Sequence, residues 1–100
     1  MTGVWIGWIE FDLLLADVRS LKQKRSVVRP MLAQVRRHLD VSVAEVDHLE
    51  LHRRTGIGAA VVAVDRSHVV SVLDAIEELV ATRPEIDLLS VRRGLRHSDG

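Results

Sequence analysis

Cysteine is absent from the 100-residue chain, which excludes disulfides, thiolate zinc sites and cysteine nucleophiles. Aromatics are scarce, and Trp5, Trp8 and Phe11 are all of them. Net charge is missing too: 14 Lys+Arg balance 14 Asp+Glu, removing a bulk electrostatic argument for nucleic acid or an anionic membrane. The longest apolar runs fall far short of a membrane span. No Lys/Arg-led signal peptide opens the sequence, so a cytoplasmic location without a membrane partner is expected. Neither a phosphate-cradling glycine loop nor a dinucleotide fingerprint occurs, and no cofactor is expected. A chain of this length buries roughly two-thirds of its unfolded surface around one core, with no room for a deep cleft between domains. The expectation is one domain over residues 1–93 and a disordered polar tail over residues 94–100.

What is present is a succession of apolar patterns. Residues 4–15 alternate: Trp5, Ile9, Phe11 and Leu13 share one parity, and Val4, Ile6, Trp8, Glu10 and Asp12 the other. That is a strand with one face wholly apolar and the other apolar only in its first half. Ser20 followed three residues later by Gln23 fits a capping box. The helix it opens spans residues 21–38, with Leu21, Val28, Met31, Leu32, Val35 and Leu39 in one stripe and a kink expected near Arg29 from Pro30. Residues 40–47 alternate again and read as a half-buried strand. Residues 48–55 are polar and read as a loop or ragged hairpin end. Residues 57–64 are a short apolar run, read as a central strand, with Gly56 and Gly58 allowing a bulge. Asp65 is expected to cap a second helix, which Pro84 stops and whose stripe is Val69, Val72, Leu73, Ile76, Leu79 and Val80. Residues 86–93 form the last strand.

The order β-α-β-β-α-β, with helical crossovers first and last and a hairpin between, predicts the ferredoxin-like α+β architecture. Two helices would lie on one face of a four-stranded antiparallel sheet. That fold hosts unrelated functions and licenses no activity by itself.

Three stretches carry a likeness: Ser20-Leu21-Lys22-Gln23-Lys24-Arg25, then Val43-Ala44-Glu45-Val46-Asp47-His48, then Gly58 to Val62 with Asp65-Arg66. Together they resemble the YlxP-like family of small bacterial proteins, a domain of unknown function, over residues 4–93. The resemblance implies a ferredoxin-like fold and no established activity. Members are commonly encoded beside translation-initiation and ribosome-maturation factors, which hints at a ribosome-linked role. After His48 relatives tend to read Gln-Asp-Leu-Trp-Gln, whereas this chain has Leu49-Glu50-Leu51-His52-Arg53.

Charge is unevenly placed. Between Val18 and His38 stand seven Lys/Arg and no Asp/Glu, and Lys22, Arg25, Arg29 and Arg36 line up beside the apolar stripe. Such a ridge suits phosphate oxygens, which makes RNA or the ribosome a candidate partner. The competing reading is a solvated helix face whose charges pair with Asp74, Glu77 and Glu78 of the second helix. Sheet-stacking RNA recognition is disfavoured, since the strand over residues 57–64 has no aromatic and the glycine-aromatic signature is missing. Val4, Ile6 and Trp8 lie on the face away from the helices, so a homodimer through that open face is expected. His48 and His52 are four apart, with Asp47 and Glu50 nearby, but the rest of a metal signature is missing and no metal is expected. Asp47 and His48, as neighbours in a strand, would point to opposite faces and form no dyad. Glu10 and Asp12 are a pair of carboxylates on the open face. An enzyme built on Glu10, Asp12 or His48 is the least favoured reading. A dimeric regulatory module binding a small molecule, rimmed by residues 48–54 with Gly56 and Gly58, is the alternative to RNA, as is a fold-only domain with no nucleic-acid role.

Overall fold

The computed structural model describes residues 3–100. Its elements are β1 (Trp5–Leu15), α1 (Leu21–His38), β2 (Ser42–Asp47), β3 (Arg54–Ala63), α2 (Arg66–Ala81) and β4 (Ile86–His97). The strands form one antiparallel sheet in the order β2-β3-β1-β4, so β1 is central and β2 and β4 are edges. This is the ferredoxin-like α+β arrangement that the alternation and the crossovers predict.

The core lies between the sheet and the two helices. Ile9, Phe11, Leu13 and Leu15 of β1 are buried, as one parity of the strand requires. They meet Val28, Met31, Leu32 and Val35 of α1 and Val69, Leu73, Ile76 and Val80 of α2. Gly7 shares their parity, and a Cβ there would collide with the Val69 side chain, so the glycine lets α2 lie close on the sheet. Leu21 departs from its expected place in the α1 stripe, being 44% exposed.

Ser20 caps α1 as the capping pattern predicts, its Oγ accepting from Gln23 N at 3.1 Å. The Gln23 side chain returns to Arg19 N (2.6 Å), one residue earlier than a capping box specifies. Pro30 does not interrupt the helix, which is continuous from Leu21 to His38. Asp65 holds the N-cap position of α2, but its side chain makes no capping bond, contrary to expectation.

Two boundaries are corrected. β3 begins at Arg54 rather than at residue 57, because Arg54, Thr55 and Gly56 pair with Leu14, Leu13 and Asp12. β4 runs to His97, so the expected tail from residue 94 is strand for its first four residues. Gly94, Leu95, Arg96 and His97 pair with Trp8, Gly7, Ile6 and Trp5. The His97 ring packs edge-on to Trp5, with centroids 5.1 Å apart. Ser98 closes the ladder, its N donating to Val4 O and its Oγ accepting from Val4 N, both at 2.9 Å.

Candidate functional site

Two regions collect the polar chemistry, and the β2–β3 loop joins them. The first is the margin of α1 that faces β2. Lys24 belongs to the apolar side of the helix and is 3% exposed. Its ammonium donates to His48 O (2.8 Å) and Leu51 O (2.7 Å) and pairs with Glu45 Oε2 at 2.7 Å. The same carboxylate oxygen accepts from the buried Thr55 hydroxyl at 2.7 Å. A buried ammonium has three N–H donors to satisfy, and here it satisfies all three. The result pins the loop to α1.

Beside this clamp runs a groove of about 290 Å³ lined by Leu21, Arg25, Val28, Arg29, Leu32 and Leu49 together with Lys24 and Glu45. Of the four ridge residues, Arg25 and Arg29 border the groove, and neither they nor Lys22 make an ion pair among the described residues. Arg36 is turned elsewhere: its guanidinium donates to Val43 O at 2.8 Å, giving a backbone carbonyl of edge strand β2 a partner. The pairing considered for the ridge goes to another cation. Asp74 and Glu77 of α2 hold Arg93 of β4 at 2.8 and 3.0 Å.

The second region is a cleft of about 390 Å³ on the open sheet face, lined by Glu10, Asp12, Asp47, His48, Gly56 and Arg92 among others. Arg54 Nη2 reaches both Asp12 oxygens, at 2.8 and 2.6 Å. That hydrogen-bonded guanidinium holds the Asp12 carboxyl below the usual carboxylate range, with the charges of Arg54 and His48 acting in the same direction. Arg92 pairs with Glu10. His48 leaves the strand in the left-handed conformation, φ 56°, unusual for a residue with a Cβ. The turn corrects the expectation that Asp47 and His48 diverge. His48 N donates to Asp47 Oδ1 at 2.8 Å, and its ring lies 3.4 Å from Asp12 and 3.9 Å from Asp47. Asp12 is already held by Arg54, so the His48–Asp12 contact is part of an anchored charge cluster. His52 does not join it. It is exposed, and no three His, Asp or Glu side chains converge on a metal-sized site among the described residues.

The open face carries the three residues expected there. Val4 and Trp8 are 38% and 39% exposed, and Ile6 is half-buried. The Trp8 indole lies over Gly94, where an added Cβ would stand 2.6 Å from its ring atoms. Its other flank is a shallow trough of Ser42, Ala44, Gly58 and Ala60. Among the described residues, no helix is long and apolar enough to cross a membrane.

Sequence reasoning missed Lys24 and Glu45, and it read Arg54 only as part of a loop. The signal for Lys24 was available: at 100° per residue it falls inside the apolar stripe, between Met31 and Val35.

Comparison with known proteins adds family and fold. The model of "Protein of unknown function (DUF503)" matches residues 6–93. The uncharacterized protein YlxP of Bacillus subtilis (strain 168) is 30% identical over 82 residues, covering 82% of this chain and 89% of YlxP. Two solved structures share the fold at low identity. The de novo designed protein Foldit4 has a TM-score of 0.52 at 12% identity, covering 91% of this chain and 96% of its own. Protein SO0527 from Shewanella oneidensis has 0.51 at 17%, covering 98% and 93%. The match over residues 6–93 and the likeness to YlxP show that the chain belongs to the DUF503 family.

Proposed function

We propose that this chain is a non-enzymatic interaction module that contacts RNA, alone or within the ribosome, through the basic margin of α1. The observation that carries the reading is the state of the ridge: Lys22, Arg25 and Arg29 have no acidic partner among the described residues, while Asp74 and Glu77 of α2 are engaged by Arg93. Unpaired guanidinium forks suit phosphate oxygens and add affinity without sequence preference. Such a module would act in the cytoplasm. The test is retention on ribosomes and total RNA across a salt series, with the variant Lys22→Gln/Arg25→Gln/Arg29→Gln in parallel. Each lost phosphate contact should lower the log–log salt slope by about 0.7 on a single strand. Salt-independent binding, or a slope unchanged in the variant, rejects the reading.

A specific observation also favours pairing of two copies through the open face. Trp8 stands beside a trough of small residues on the same surface, and a two-fold axis would set each indole against the other's trough. β1, β2, β3 and β4 have 11, 6, 10 and 12 residues, and at about 3.3 Å per residue and about 4.8 Å between strands they make a face of about 600 Å² per copy. Two such faces bury about 1,200 Å², the lower end for a specific interface. Solution mass decides: a dimer that Trp8→Ser converts to monomer supports the pairing, and a monomeric wild type at micromolar concentration rejects it. The small-molecule alternative has the cleft beside His48, but its charges are largely satisfied internally, Glu10 by Arg92 and Asp12 by Arg54.

A further inference from the structure

We infer that the groove between α1 and the β2–β3 loop takes one unpaired nucleotide of a single-stranded RNA, with Glu45 reading its base edge. The inference rests on the RNA reading above and deepens it. Three features of the groove select this occupant.

Its rim is cationic, since Arg25 and Arg29 border it one helical turn apart without acidic partners among the described residues. The walls are apolar: Val28 and Leu32 are buried, while Leu21 and Leu49 are 44% and 58% exposed. A duplex offers phosphates to the rim but nothing apolar to the walls. An unpaired base offers a π-face to the leucines and to the guanidinium planes.

The lining also holds a fixed acceptor, Glu45. Glu45 Oε2 is taken by Lys24 and Thr55, which leaves Oε1 without a protein partner among the described residues. A carboxylate accepts from the exocyclic amine of cytosine and opposes the O4 acceptor of uracil. Because Lys24 and Thr55 hold Glu45 in place, the preference needs no rearrangement. The groove therefore selects a base carrying an amine, and among pyrimidines it selects cytosine.

The test is a fluorescence-anisotropy titration with eight-nucleotide oligo-C, oligo-U and a duplex RNA at one fixed salt concentration. Oligo-C should bind about tenfold tighter than oligo-U. Leu21→Ser/Leu49→Ser changes no charge and touches only exposed side chains. It should weaken oligo-C about tenfold and leave the duplex unchanged. Equal affinity for oligo-C and oligo-U, in a protein whose RNA binding still falls with Arg25→Gln/Arg29→Gln, overturns the groove proposal and leaves the ridge reading standing. No binding of any RNA removes both. An acidic amphipathic peptide that competes as well as oligo-C overturns the choice of occupant.

Discussion

Lys24 and Glu45 meet at 2.7 Å beneath the β2–β3 loop, and the lysine is shut off from water by the loop whose carbonyls it holds. The pair fixes Leu49 against α1 on one side of the sheet and His48 over the charge cluster on the other. Both candidate regions therefore depend on one buried cation.

Removing that cation should be severe. Lys24→Met takes the ammonium from two loop carbonyls and leaves the Glu45 carboxylate without its counter-charge, and loss of one partner of a buried pair costs about 3 kcal/mol or more. Urea unfolding reads this directly, and a loss under about 1 kcal/mol would contradict the clamp. Hydrogen exchange should show the loop residues opening first.

Acid should weaken the fold partly through Asp12. Arg54 lowers the carboxyl's folded pKa, so on acidification the unfolded chain takes up the proton first. The contribution is complete above the unfolded value of about 3.9 and drains away as pH falls from there through the lower folded value. Asp12→Asn should flatten the thermal-midpoint profile between about pH 5 and pH 2. An unchanged slope would show that the pair does not feel folding.

Gly94 should resist any side chain. The indole of Trp8 occupies the space above it, so Gly94→Ala must displace the ring, at a cost of about 1–3 kcal/mol. In a Trp5→Phe background, Trp8 emission should shift with the substitution. An unmoved spectrum and an unchanged midpoint would mean that the ring does not rest there in solution.

The ridge should not behave as four equal cations. Arg36 is committed to Val43 O, whereas Arg25 is free of protein partners among the described residues. Arg25→Gln should reduce RNA retention several-fold and Arg36→Gln less than twofold. The reverse order would show that the edge contact is broken when RNA binds.

Most of the architecture was legible because burial follows period. The buried parity of β1 and the stripes of both helices are written in the spacing of Ile, Leu, Val and Phe. What escaped were segments whose partners lie far along the chain. Apart from Leu95, the first residues of β3 and the last of β4 are polar or glycine, and only pairing with β1 makes them strand. The ridge was legible as composition, but not the diversion of Arg36 to a backbone carbonyl. His48 escaped for a different reason: a positive φ in a residue with a Cβ leaves no trace in hydrophobic pattern.

The sheet order bears on how the chain is made. β1 is made before the other three strands, yet it is the central strand, gaining its first neighbour only once β3 has followed and its second only with β4. Its final bonds join Val4 to Ser98, 94 positions apart. A nascent chain therefore carries an apolar, unpaired strand until β3 has been made. Completing the sheet must await closure of a loop of 94 positions, a long-range pairing that slows folding.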